Sequence, residues 1–283
     1  MANKSGTTSP WGRLSWFEKS CFVGVIGVII LAIVGPWMAP YDPYFVNLDK
    51  SLTSPNMEHW FGTDVDGRDI LSRLLYGARL TLLAPLGVIV FAACVGTIVG
   101  TISALNPGVV DELIMRLCDV GLAFPALVLS IGLASALGPS LRSAIIALAI
   151  TWWPGYARLV RSLVLEVTHK EFIESARVLG VPRRKIVLRH ILPNALNALY
   201  VQTTIDVSAV ILVISGLSFI GAGAQPPSSE WGAMVTSGRD YMLTGWWMVV
   251  VPGIAISFTA MLFNLSGDAL RVLNDPTLKQ GKS

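Results

Sequence analysis

Residues 168–194 read THKEFIESARVLGVPRRKIVLRHILPN, a charged segment that lies between two apolar stretches in the second half of the chain. Thr168 followed by Glu171 predicts a capping box at the start of a helix. The apolar residues of this helix recur at spacings of three and four and share one face: Phe172, Ile173, Ala176 and Leu179. Gly180 predicts a left-handed end to the helix, and Pro182 is suited to open a second, basic helix. We therefore expect a helix, a glycine turn and a second helix.

The composition indicates an integral membrane protein. Of 283 residues, 53% are hydrophobic and 14% are charged, whereas a soluble domain carries about 25% charged residues. Six nearly uncharged stretches are each long enough to cross a bilayer, which takes about 20 helical residues. We predict an all-α membrane protein with six transmembrane helices and the charged segment between spans four and five. Its three cysteines lie inside apolar stretches without metal-binding spacing, so we expect no metal site.

The order of polar and apolar segments predicts five regions. They are an amino-terminal segment (1–19), a first span (20–41), a hydrophilic insert (42–78), a membrane core (79–272, with the charged loop at 168–192) and a tail (273–283). Within the insert, Asp66 is expected to cap a short interfacial helix that turns Arg68 and Arg73 away from its apolar side. The first span runs too far without a small-residue cleavage site for a signal peptide, so we expect it to remain as an anchor.

The spans contain several features with local structural meaning. Gly96 and Gly100 form a small-residue pair that permits close helix approach. Arg116 and Asp119 are spaced to pair on one helix face. The run from Trp152 to Gly155, Trp-Trp-Pro-Gly, is expected to interrupt span four, either as a cavity wall or as a packing kink. Trp246 and Trp247 are expected at the outer membrane interface.

Asp206 is the one charge in the fifth apolar stretch. A carboxylate at this depth costs on the order of 3 kcal/mol on insertion scales, so it should face protein or water rather than lipid. Two roles are open. It accepts hydrogen bonds from Thr203, Thr204 or a partner helix, or it lines a path and favours cationic cargo.

The basic residues predict the orientation. With the amino terminus inside, 15 of the 21 Lys and Arg residues lie on the cytoplasmic side, as the positive-inside rule requires. Both termini and the 168–192 loop are then cytoplasmic. The formal net charge of +3 gives no reason to expect nucleic acid as a partner.

Four segments resemble the signatures of ATP-binding-cassette (ABC) importer permeases of the dipeptide, oligopeptide and nickel branch. The charged loop carries Glu174-Ser175-Ala176, Gly180 and then Ile191-Leu192-Pro193, similar to the family's coupling-loop pattern, with Ser175 and His190 as departures. The others are GTDVDGRD at 62–69, GLSFIGAGAQPPSSEWGAM at 216–234 and FNLSGDALR at 263–271. The resemblance extends from the first span to residue 276.

The resemblance implies a type I importer fold with a cytoplasmic coupling helix between spans four and five. The implied coupling residues are Glu171, Phe172, Glu174, Ala176, Arg177, Leu179 and Gly180, and the candidate path residues are Trp152, Trp153, Asp206 and Ser218. The implied partners are a second homologous permease, two cytoplasmic ATP-binding subunits, an extracytoplasmic solute-binding protein and membrane lipid. ATP and magnesium would be used by the ATP-binding subunits and not bound here. The implied location is the bacterial or archaeal inner membrane.

Two alternatives compete with an importer for peptides. A permease of the same family could carry nickel or a metallophore. A different class, an ATP-independent secondary transporter, would use Asp206 with Arg116 and Asp119 as an ion relay, but it would leave the coupling-loop motif unexplained.

Overall fold

The computed structural model describes residues 14–274. Secondary structure in this range is helical apart from one isolated bridge between Thr63 and Asp69. The ten α-helices in this part of the chain are α1 (Trp16–Met38), α2 (Ile70–Leu105), α3 (Val109–Leu122), α4 (Ala126–Ala136), α5 (Leu141–Thr168), α6 (Glu171–Val178), α7 (Arg183–Ile186), α8 (Leu192–Phe219), α9 (Trp231–Gly238) and α10 (Trp247–Asn274). Most of the predicted tail, and residues 1–13 of the predicted amino-terminal segment, lie outside the described residues.

The all-helical prediction is confirmed, whereas the count of six spans stays a prediction. Between residues 14 and 274, α1, α2, most of α8 and most of α10 are long and apolar enough to cross a membrane. The pair α3 and α4 meets the same criteria together, but the two helices bend by 84° at their junction. Helix α5 has 28 residues and therefore spans about 42 Å, but it is not among the helices that meet the length and hydropathy criteria.

Two glycines allow α2 and α5 to pack closely. A Cβ atom added to Gly96 would lie 2.3 Å from Cβ of Tyr156, and one added to Gly100 would lie 2.3 Å from the Ala157 carbonyl oxygen. Neither distance is sterically possible, so the observed contact requires glycine at both positions. The predicted role of the small-residue pair is confirmed.

The hydrophilic insert folds against the amino-terminal end of α2. Asp69, not Asp66, caps this helix by accepting a hydrogen bond from the Ser72 amide at 2.7 Å. The separate interfacial helix was therefore a wrong prediction, because its residues form the first turns of α2. Arg68 and Arg73 are buried instead of solvent-facing, since both pair with the Asp64 carboxylate at 2.8 and 3.4 Å.

The insert also contacts the second segment that was predicted to lie outside. Arg73 donates to the Ser228 carbonyl at 3.0 Å. Trp247 is buried and its indole donates to the Thr63 carbonyl at 3.0 Å, while Trp246 is exposed. Their place at the outer membrane interface stays a prediction. These contacts gather both predicted outer segments at one end of α2.

At the other end, α3 is joined to α5 by ion pairs. Arg161 binds Asp111 through two hydrogen bonds of 2.6 Å, and Arg158 pairs with Asp119. Arg116 pairs with Glu112 at 2.7 Å. The predicted Arg116–Asp119 pair was therefore wrong, because Asp119 has a partner on a neighbouring helix that sequence spacing does not reveal.

Candidate translocation cavity and coupling segment

The charged loop contains the expected short helix, but with a different start. Helix α6 begins at Glu171 after Lys170, which makes no side-chain cap. Thr168 is the last residue of α5, and its hydroxyl donates to the Val164 carbonyl at 2.7 Å. The predicted capping box was wrong because α5 continues through Thr168, which is its last residue.

The glycine turn after α6 is confirmed. Gly180 has a φ of +73°, the left-handed region that side chains disfavour. Its amide donates to the Arg177 carbonyl at 3.0 Å, and the Val181 amide donates to the Ala176 carbonyl at 3.1 Å. This pair of bonds is a Schellman motif, and it sets the direction in which the chain leaves α6.

The apolar face of α6 is divided between the protein and the exterior. Ile173 is completely buried and Ala176 packs against the core. Phe172 is 44% exposed and Leu179, just beyond the helix, is 81% exposed. The four residues were predicted to share one face, and the structure shows that only part of that face is covered by this chain.

The basic stretch that follows is shorter than predicted as a helix of its own. Helix α7 covers four residues, Arg183–Ile186, and one π-helical turn, Val187–Ile191, joins it to α8. Arg183 donates to the Leu105 carbonyl at the end of α2. The charged loop, residues 168–192, therefore lies at the opposite end of α2 from the insert, as the predicted topology requires.

A cavity of about 380 Å³ lies between α5, α8 and the junction of α3 with α4. It is lined by Leu122, Ala126, Thr151, Trp152, Gly155, Tyr156, Leu159, Gln202 and Asp206. Trp152 and Asp206 were predicted from the sequence, and the structure brings them together. Helix α5 is continuous through Trp152 to Gly155, so the predicted interruption was wrong. Of the two roles expected for this run, the cavity wall is observed for Trp152 and Gly155.

Asp206 accepts a hydrogen bond from the Gln202 amide at 3.0 Å. The predicted donors Thr203 and Thr204 turn to the Tyr200 carbonyl instead, as hydroxyls on a helix often do. The Tyr156 phenol on α5 lies beside the Asp206 carboxylate. The polar groups of the cavity thus come from two facing helices.

Two predicted path residues lie elsewhere. Trp153 packs against the core, and Ser218 is buried, with its hydroxyl accepting from the Ala224 amide at 3.0 Å. Tyr156 and Gln202 were missed by sequence reasoning. Their one signal is spacing, because each lies four positions from a predicted residue, Trp152 or Asp206, on the same helix face.

Comparison with known proteins identifies the family. Residues 96–280 match the family model described as binding-protein-dependent transport system inner membrane component. The fold is similar to that of the MetNI methionine ABC transporter in an inward facing conformation, with a TM-score of 0.57 and 22% identity over 71% of this chain and 96% of that chain. This likeness supports the type I importer fold.

Curated relatives match almost the whole chain. The probable D,D-dipeptide transport system permease protein DdpC of Escherichia coli (strain K12) is 44% identical over 93% of this chain and 91% of its own length. The glutathione transport system permease protein GsiD of Escherichia coli O6:K15:H31 is 43% identical over 90% and 84%. The di/tripeptide transport system permease protein DppC of Pseudomonas aeruginosa is 39% identical over 89% and 85%. The chain therefore belongs to the binding-protein-dependent transport system inner membrane component family and is a multi-pass inner-membrane permease subunit of an ABC importer.

Proposed function

We propose that this chain forms half of the translocation pathway of an ATP-driven importer for peptides. The cargo class is supported by relatives named for D,D-dipeptide, di/tripeptide and glutathione transport. These relatives do not favour the nickel or metallophore alternative. The chain itself is non-catalytic, and ATP and magnesium are used by two cytoplasmic partner subunits.

The observation that carries this proposal is the divided face of α6. Ile173 attaches the helix to the membrane core, while the exposed apolar side chains lie beside charged ones. The exposed apolar residues are Phe172, Val178 and Leu179. Exposed apolar side chains rimmed by charge are typical of a protein interface. An ATP-binding subunit that covers these side chains would move the core with it, because the buried side of α6 is fixed to that core.

The charged side chains of α6 define the orientation of this contact. Glu171, Glu174 and Arg177 are exposed on the helix that carries the apolar residues. Rim charges of both signs select a matching partner surface and a single register. The Gly180 turn then lets the chain leave the contact sharply. Together these features involve six of the seven residues expected to couple the chain to an ATPase, and the seventh, Ala176, packs against the core.

A second, homologous permease supplies the other half of the pathway. Here the cavity is lined from α5, α8 and the α3–α4 junction alone, which leaves one side for a partner. The segments 42–69 and 220–246, joined by the Arg73 and Trp247 contacts, face the extracytoplasmic solute-binding protein. Both termini and residues 168–192 are cytoplasmic, in agreement with the excess of basic residues on that side.

Copurification tests this proposal. The tagged chain is extracted from its host in mild detergent, and the proteins that elute with it are identified and assayed for ATP hydrolysis. We expect a second permease and two ATP-binding subunits in stoichiometric amounts. The solute-binding protein encoded beside them should bind dipeptides more tightly than nickel complexes. Elution of the chain alone would contradict the assignment. So would a solute-binding protein, the receptor of the transporter, that binds nickel complexes more tightly than dipeptides.

A further inference from the structure

The cavity contains two pairs of side chains that face each other from different helices. Trp152 and Tyr156 lie four positions apart on α5, and Gln202 and Asp206 lie four positions apart on α8. Residues with this spacing project from the same side of a helix. Gly155 lies between the two aromatic residues and contributes no side chain, so the cavity stays open at that point.

This group lies near the middle of both helices that supply it. Helices α5 and α8 each have 28 residues, and both pairs fall near the halfway point of their helix. A charged group at this depth normally has a partner or a function. The two arginines on α5 nearest to the cavity, Arg158 and Arg161, already pair with carboxylates of α3. Among residues 14–274, no cation pairs with Asp206.

A second observation concerns the hydroxyl that faces this carboxylate. The Tyr156 hydroxyl is buried beside the Asp206 carboxylate and has no other hydrogen-bond partner among the described residues. Buried polar groups are nearly always hydrogen-bonded, and a phenol that donates to a carboxylate still has an oxygen that can accept a hydrogen bond from a ligand or ordered water. Gln202 holds one carboxylate oxygen from the side, at 3.0 Å, and so orients the group.

The chemistry of these residues selects a primary ammonium ion. A carboxylate and a phenol oxygen accept N–H donors, and hydrogen bonds between ionised groups are about twice as strong as neutral ones. An indole such as that of Trp152 attracts a cation over its face. The cavity volume of about 380 Å³ lies within the range of sites for small molecules.

We propose that Asp206, Tyr156, Gln202 and Trp152 form a subsite that binds the ammonium group of a peptide passing through the cavity. This inference rests on the proposed function, in which peptides are the cargo. Dipeptides, tripeptides and glutathione all carry an α-ammonium group, whatever their side chains, so one carboxylate serves every member of the class. The side chain of a lysine residue in the peptide is a second source of a primary ammonium group.

Peptide binding to the complex without its receptor tests the subsite, because the receptor would add its own selectivity. The complex contains this chain, the second permease and both ATP-binding subunits. The probes are dialanine, N-acetyldialanine and N-acetyllysylalanine, measured by equilibrium dialysis. Asp206→Asn keeps the shape and one acceptor oxygen but removes the charge. Glu166→Gln is the matched control, since Glu166 lies on α5 outside the cavity and pairs with Lys170.

We expect wild type and Glu166→Gln to bind dialanine at least about tenfold more tightly than N-acetyldialanine, the range of one charge-assisted contact. Asp206→Asn should bind the two peptides equally, and Tyr156→Phe should reduce the preference without abolishing it. Restored binding of N-acetyllysylalanine would show that side-chain ammonium groups are accepted too, whereas weak binding would restrict the subsite to the α-ammonium.

An unchanged preference in Asp206→Asn, or no preference in wild type, would overturn the subsite. The proposed function is tested separately by ATP-dependent import of dialanine by the wild-type complex with its receptor. Failure of that import overturns the proposed function. Import with a preference that does not depend on Asp206 overturns the subsite alone.

Discussion

Leu179 and Ile173 should respond differently to truncation, because Leu179 is exposed at the end of α6 whereas Ile173 is buried beneath this helix. Leu179 is 81% exposed in this chain and Ile173 is completely buried. If an ATP-binding subunit covers Leu179, Leu179→Ala removes three buried carbon atoms at roughly 0.8 kcal/mol each. The contact should weaken by about 2 kcal/mol, a roughly thirtyfold loss of affinity. The stability of the permease itself should not change.

Ile173→Ala is the matched comparison. It creates a cavity under α6 and should destabilise the permease by about 2–5 kcal/mol, the usual cost of truncating a buried isoleucine. Both variants are purified in detergent, and two quantities are measured: the midpoint of thermal unfolding of the permease, and the concentration of ATP-binding subunit that half-saturates it. Leu179→Ala should alter only the second quantity, whereas Ile173→Ala should lower the first.

A Leu179→Ala permease that binds the ATP-binding subunit as tightly as wild type would refute this reasoning. The exposed apolar residues of α6 would then have another use, such as contact with lipid. A large loss of thermal stability in the same variant would also count against it, since an exposed side chain contributes little to the fold.

Three further predictions concern glycines. Gly100→Val should destabilise the permease by about 2 kcal/mol or more, because a Cβ atom at this position would lie 2.3 Å from a backbone oxygen of α5. The control is Gly87→Ala, on the same helix but facing open space, which should leave the midpoint of thermal unfolding unchanged or raised. Gly155→Leu should fill the cavity and abolish peptide uptake without lowering the amount of permease in the membrane. Gly155→Ala is the control and should still support uptake. Equal uptake by both variants would show that the translocation path lies elsewhere. Gly180→Val forces a β-branched residue to a φ of +73°, which costs about 1–2 kcal/mol of conformational energy and should distort the turn after α6. ATP hydrolysis should therefore continue while uptake falls. Retained full uptake would contradict a coupling role.

Local patterns predicted the packing of α2 with α5 but not the ion pairs. Gly96 and Gly100 were recognisable because a small-residue spacing has a direct geometric meaning. The Arg116–Asp119 prediction failed because spacing along a helix cannot report a competing partner on another helix. That partner, Arg158, lies 39 positions from Asp119, and only the tertiary fold brings the two together.

The helix starts were predictable in kind but not in position. Asp66 and Asp69 are both suitable caps by residue type, and the fold of the insert decides between them, since Asp66 pairs with Arg68 while Asp69 caps α2. Thr168 was assigned to the wrong helix for a similar reason. The sequence has no helix-ending residue near the carboxyl-terminal end of α5, so this helix continues to Thr168.

Two of the four cavity residues discussed above were predictable from the sequence. Trp152 and Asp206 stood out because a Trp-Trp-Pro-Gly run and a lone acid are unusual inside apolar stretches. Tyr156 and Gln202 are unremarkable in sequence, and their role follows from facing partners across α5 and α8. Ser218 belonged to a recognisable motif, but its hydroxyl serves the turn after α8 by binding the Ala224 amide.

The most direct test of the account is uptake by the complete transporter in vesicles. The chain, its partner permease and both ATP-binding subunits are reconstituted with ATP enclosed and the receptor outside, and the accumulation of labelled dialanine is measured. We predict accumulation against its gradient that requires ATP and the receptor and is lost in Gly180→Val. Equal accumulation without ATP would contradict the coupling of this permease to ATP-binding subunits and make Asp206 the centre of an ion-driven mechanism.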